Sequence, residues 1–153
     1  MLMDTLTQFC DGVALNTGAA GTYLIGDQID LQNVRDIGTG TPLYLVIQCD
    51  VAAASGGTSS AQFKLVSDSS AAIATDGTAT EHIVTHAFNK NNDLIAGKTL
   101  ATVVLPFENH AATYERYLGI LQTTVGNAFT AGSVSIFLTD NPPSQKSYPD
   151  GVN

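Results

Sequence analysis

Residues 42–51, PLYLVIQCDV, alternate without interruption: Leu43, Leu45, Ile47, Cys49 and Val51 share one parity, and Tyr44, Val46, Gln48 and Asp50 the other. A period of two is the signature of a β-strand, because successive side chains point to opposite faces of a sheet. The stretch is expected to form a half-buried core strand with the Leu43 set inward. The residues before it, RDIGTGT (35–41), read as a corner. Gly38 and Gly40 permit positive φ, while Pro42 fixes its own φ and offers no N–H to a ladder. A phosphate-cradling loop is not the reading, since Leu43 stands where GxGxxG needs its third glycine and a strand follows instead of a helix N-terminus.

Working outward, the same alternation recurs in TYLI (22–25), AQFKLVSD (61–68), EHIVTHAF (81–88), TLATVVLPF (99–107), ERYLGILQTTV (115–125) and SVSIFLTD (133–140). In AQFKLVSD it turns Phe63 and Leu65 inward and Gln62 and Lys64 outward. Between these runs lie ASGGTSS (54–60), SDSSAA (67–72), ATDGTAT (74–80), NKNND (89–93), ENHAAT (108–113) and GNAFTAG (126–132), all rich in residues that tolerate turn dihedrals. Only DLIAG (93–97) hints at helix, as a single turn closed by Gly97. About eight short strands at regular spacing predict an all-β, single-domain antiparallel β-sandwich or jelly roll over residues 1–140, with residues 1–10 as an N-terminal segment. The stretch NPPSQKSYPDGVN (141–153) is rich in proline and poor in apolar residues, and is expected as an extended tail.

The chain has 153 residues, enough for one full core, and 44% are hydrophobic, which argues against disorder. Only 13% are charged, with a net charge of −8, and its six cations are scattered singly. Neutralising a phosphate backbone requires clustered Lys and Arg, so neither nucleic acid nor an anionic membrane is expected as a partner. No apolar run approaches the ~20 residues that span a bilayer, and Asp4 occupies the place of a signal peptide's basic region. Cys10 and Cys49 are expected as buried thiols.

Chemistry-bearing residues form no recognisable constellation. His82 and His86 share a strand parity, but four residues of strand separate their Cα atoms by about 13 Å, too far for one zinc. No GxSxG elbow surrounds any serine, and neither cysteine lies in a reactive motif. No catalytic residue, cofactor or metal is therefore expected.

The order of certain motifs carries more. The chain begins Met1-Leu2-x-Asp4-Thr5-Leu6 and contains Arg35-Asp36-Ile37-Gly38-x-Gly40-x-Pro42-Leu43-Tyr44-Leu45. Ala96-Gly97, Leu105-Pro106, Glu115-Arg116-Tyr117-Leu118, Phe129-Thr130-Ala131-Gly132 and Tyr148-Pro149-Asp150-Gly151 follow in sequence. In these motifs the chain resembles the capsid cement, or head decoration, proteins of tailed bacteriophages. The resemblance implies a jelly-roll subunit that self-associates as a homodimer or homotrimer. It also implies that the subunit, made in the host cytoplasm, sits on the exterior of the capsid, where it bridges neighbouring major capsid proteins. The candidate capsid or subunit contacts are Met1, Leu2, Asp4, Leu6, Arg35, Asp36, Tyr44, Arg116 and Tyr148. The rival reading is a virion-surface adhesin or glycan-binding module on the same scaffold.

Overall fold

The computed structural model describes residues 4–34, 37, 40–106 and 112–142. A single 3₁₀ turn, η1 (Thr5–Thr7), leads into nine strands: β1 (Gln8–Ala14), β2 (Gly21–Asp30), β3 (Tyr44–Ser55), β4 (Ser59–Asp68), β5 (Thr80–Val84), β6 (Phe88–Asn89), β7 (Thr99–Val104), β8 (Tyr117–Gly126) and β9 (Phe129–Thr139). One sheet has the order β1-β9-β3-β7; the other has the order β2-β8-β4-β5, with β6 also paired to β4. Every pairing is antiparallel.

β5 and β6 are two pieces of one edge strand. The break falls at Thr85, whose Oγ1 accepts from the Phe63 N–H at 3.0 Å while its own N–H donates to the Phe63 carbonyl at 3.0 Å. Gln62 Nε2 donates to the Thr85 carbonyl at 2.7 Å, so side chains take over the bonds the interrupted ladder would have made. With β5 and β6 counted together, the strands pair in nested order, first with last and second with second-last, down to β4 with β5. That nesting across two sheets is a jelly roll.

The core lies between the sheets. Leu45, Ile47 and Cys49 of β3 face Phe63 and Leu65 of β4, with Ile120 of β8, Ile136 of β9 and the ring of Phe129. Burying each such side chain contributes roughly 1.5–3 kcal/mol. Leu45, Ile47 and Cys49 of PLYLVIQCDV join the core as the alternation predicts, but Val46 on the other face is fully buried as well, so the strand is not half-buried there. A bulge between Cys49 and Val51 then shifts the register on β9, and Val51 comes out 54% exposed instead of inward. Both cysteines are free and buried. Burial, reinforced by Asp50, Asp11 and Asp27, pushes the Cys10 thiol up to about 12, and burial with Asp50 also raises Cys49.

Three elements depart from the sequence reading. QFCDGVA, read within an N-terminal segment and the chain following it, forms β1; its two register shifts against β9 and the positive φ of Gly12 hide the alternation. Phe129 opens β9, so GNAFTAG is a loop only at its first residues. DLIAG forms hydrogen-bonded turns and no helix: Gly97, at φ +79, donates its N–H to the Cys49 carbonyl at 2.7 Å, tying the turn to β3.

A smaller apolar cluster lies on the other side of the second sheet. Val66 and Leu121 are covered there by Ile73 and Ala79 of the connection between β4 and β5. Asp68 shapes that connection by accepting from the N–H groups of Ser70 and Ala74, both at 2.9 Å, and these bonds hold its carboxyl below the usual range. Gly119 makes room for Ile73, whose Cδ1 lies 2.3 Å from where a Cβ would stand.

Candidate interaction surface

The nested pairing sorts the connections to two ends. Tyr44 pairs with Thr139 and Val104, Asp30 with Tyr117, Asp68 with Tyr117, and Gln8 with Phe137. The starts of β1, β3 and β8 therefore lie beside the ends of β2, β4, β7 and β9. As a result, one end of the sandwich carries η1, both ends of the connection from β2 to β3, the connection from β4 to β5, both ends of the connection from β7 to β8, and residues 140–142. Of the sequence candidates, Asp4, Leu6, Tyr44 and Arg116 come together at this end. Met1, Leu2, Arg35, Asp36 and Tyr148 lie outside the described residues.

η1 forms because Asp4 caps it: its Oδ1 accepts from the Leu6 N–H at 2.9 Å, and its carbonyl accepts from the Thr7 N–H and hydroxyl, both at 3.0 Å. The turn is a ridge between two open grooves. One, of about 240 Å³, is lined by Asp4, Thr7, Leu43, Leu138, Thr139 and Asp140. The other, of about 310 Å³, is lined by Thr5, Leu6, Gln8, Asp27, Gln28, Ile29 and Asp30. Leu6 is 76% exposed, the highest value among the exposed large apolar side chains described. An apolar crest flanked by Asp4, Asp27 and Asp140 results, and among the described residues none of these acids has an ion-pair partner.

Arg116 is already engaged. Its Nε and Nη2 donate to the two Asp30 oxygens at 2.9 and 2.8 Å, and its guanidinium lies 4.9 Å from the centre of the Tyr117 ring. This fork holds the Asp30 carboxyl down at about 2, helped by the Gln32 N–H. Arg116 thus fastens the end of β2 to the start of β8, and the grooves are lined by Asp27, Leu43, Thr139 and Asp140 instead. Sequence reasoning missed those four because only the strand register places them next to η1.

A second polar cluster supports this end from within the fold. The His82 ring stacks on Tyr114 at 4.0 Å and 17°, and its Nε2 lies 2.7 Å from Ser67 Oγ. That oxygen also accepts from the Glu115 N–H at 3.0 Å, while the Glu115 carboxylate accepts from Thr80 Oγ1 at 2.7 Å. Tyr114 donates its hydroxyl to the Pro106 carbonyl at 2.8 Å. Serine, histidine and carboxylate are close here, yet Ser67 is fully buried and the carboxylate is turned to Thr80. The cluster braces the connection from β7 to β8. The two histidines of the β5–β6 edge do not meet, for His86 packs on Phe88 at 4.1 Å. Among the described residues no group of three His, Cys, Asp or Glu side chains is placed to hold a metal.

His82 Nδ1 is buried without a partner, so protonating the ring would bury an N–H with no acceptor. Burial accordingly lowers its pKa below 6.5, with Glu115 opposing the shift in part. The unfolded chain then takes up the proton more readily than the folded one, and stability falls as the pH drops below about 6.5. Urea midpoints measured at pH 7.5 and 5.5 are expected to differ in the wild type and to differ less in His82→Gln. An equal difference in both would remove His82 as the cause.

No curated protein matches the chain significantly in sequence. The model of the family described as Bbp16 matches residues 9–138, a span that begins within β1, ends within β9 and takes in all the strands between. The chain belongs to the Bbp16 family.

Proposed function

We propose that this protein is a capsid cement protein of a tailed bacteriophage: a homo-oligomer on the outer surface of the icosahedral head that links neighbouring major capsid proteins through its η1 end. The observation that carries the reading is the gathering of η1, the two grooves and four strand-to-strand or terminal connections at one end of the jelly roll. Membership of the Bbp16 family supports it, as does the resemblance of the ordered motifs to those of head decoration proteins. A ligand that binds only the assembled shell stabilises that shell by mass action, and several contacts per oligomer add avidity without any strong single interface.

The test is particle survival. Heads lacking the protein are expected to lose DNA at lower temperature and milder osmotic shock than complete heads, and adding the purified protein back is expected to restore them. Equal survival would sink the cement reading. If survival is equal and the isolated protein binds on a glycan array, the adhesin reading takes its place.

A further inference from the structure

The cluster of Ser67, His82 and Glu115 can hold a neutral ring but has no place for a second ring proton. Ser67 Oγ accepts from the Glu115 N–H at 3.0 Å, and its own proton can serve only the contact to His82 Nε2 at 2.7 Å. A charged ring makes both nitrogens donors. Nε2–H then faces Ser67 Oγ and turns out the hydroxyl proton, while Nδ1–H lies buried with no partner. Turning the ring outward breaks its stack on Tyr114. The acceptor at hand is Glu115, whose amide is anchored on the same Ser67 oxygen that touches the ring. Its carboxylate is occupied by the Thr80 hydroxyl at 2.7 Å, and its charge is the one that acts on His82. The charged groups of the adjoining elements are committed elsewhere. Lys64 of β4 pairs with Glu81 of β5, Arg116 with Asp30, and Asp68 accepts from the Ser70 and Ala74 N–H groups.

We propose that this cluster is a proton-operated latch: a proton taken from solvent by His82 draws the Glu115 carboxylate off Thr80 and onto the imidazolium. In the neutral state Glu115 holds Thr80; in the charged state it holds Nδ1–H, and Thr80 is released. Thr80 opens β5 and Glu115 leads into β8, so the bond exchanged is the one that ties the connection from β4 to β5 to the connection from β7 to β8. Both connections belong to the η1 end, so acid remodels that end while the pairing of β2, β8 and β4 persists. The direction follows from burial, which favours the neutral ring: the Thr80 bond holds at neutral pH and is lost as the pH falls through a ring midpoint below 6.5. Any buried neutral histidine would make stability fall with acid; the exchange of partners is specific to this pair. The latch belongs to the isolated protein and does not rest on the capsid reading.

Titration of the full chain by nuclear magnetic resonance, from neutral pH downward, tests the latch. The His82 ring is expected to titrate with a midpoint below 6.5, and the Glu115 carboxyl carbon and the Thr80 amide are expected to shift with that same midpoint. Amides of β3 and β9, on the other sheet, are expected to stay where they are. Glu115→Gln keeps an acceptor for Thr80 but removes the charge, and is expected to lower the His82 midpoint. Thr80→Val frees the carboxylate for the ring, and is expected to raise the midpoint. A carboxylate that merely stands by would respond to the first variant and not to the second, so a midpoint unmoved by Thr80→Val overturns the proposal. Glu115 and Thr80 signals that do not follow His82 in the wild type overturn it too, whether or not the variants fold. Loss of all native signals at the His82 midpoint also overturns it, because the proton then unfolds the sandwich as a whole.

Discussion

Gly26→Val is expected to destabilise the fold by about 3 kcal/mol or more, lowering the melting temperature by roughly 6–12 °C. Gly26 stands in the bulge of β2 at φ +71, where a Cβ would lie 2.3 Å from the Phe9 carbonyl oxygen and 2.7 Å from Cys10 Cβ. The first obstacle is backbone, which cannot rotate away, and the conformation itself is one that β-branched residues avoid. The contact matters because β1 and β2 belong to different sheets, so the bulge bends β2 against β1 and closes that side of the sandwich. Gly12→Ala separates the two causes. Gly12 also has positive φ, +60, but nothing lies within 4 Å of its absent Cβ. It is expected to lose only about 1–2 kcal/mol, the conformational part. Thermal melts of the two variants check this; equal losses would mean that the close approach at Phe9 contributes nothing.

The same residues explain what could be seen in the sequence. Strands β3, β4, β8 and the later part of β9 are flanked on both sides, and their inner faces need unbroken apolar sets, so Leu45, Ile47, Phe63, Leu65 and Ile136 declare themselves by period alone. Edge strands carry weaker patterns, because bulges and charges that protect an edge also spoil alternation. β1 went unread for that reason: Asp11 and Gly12 interrupt it where it bulges. β2 extends well beyond TYLI because Gly26 and Asp27 look like a turn when they form a bulge. Of the corner expected before β3, Gly40 adopts the positive φ foreseen for it, +96, and Gly38 lies outside the described residues.

The candidate surface was legible only in part. Asp4 and Leu6 were named from a motif, and the motif says nothing of what they sit beside. Leu43 and Asp140 are nearly a hundred residues apart, and they line one groove because Tyr44 pairs with Thr139. That adjacency is a property of long-range register, which a local pattern does not encode. Arg116 was likewise named from a motif, which does not disclose its fork to Asp30 across the β2–β8 pair.

Leu6→Asp is expected to remove most capsid binding while leaving the isolated protein intact. Leu6 projects from η1 with 76% of its surface exposed, so the monomer gains little from it and its melting temperature is expected to move by less than roughly 2 °C. Burying a leucine in a partner contributes roughly 1.5–3 kcal/mol, which is about a 10- to 150-fold change in affinity at one site. Replacing it with a carboxylate adds the cost of desolvating a charge beside Asp4, and in an oligomer the loss repeats at every copy engaged at once. Leu6→Ala retains the charge pattern and is expected to weaken binding by the area term alone. Val125→Asp is the control, since Val125 is 58% exposed at the end of β8 that faces away from η1. Co-sedimentation of each purified variant with heads lacking the protein measures occupancy directly. The order wild type and Val125→Asp, then Leu6→Ala, then Leu6→Asp is the expected result. If Leu6→Asp binds as the wild type does, the η1 end is not the face that meets the capsid, even if the protein still protects the head. If Val125→Asp falls with Leu6→Asp, added charge alone disfavours docking, and the assignment of one end over the other loses its support.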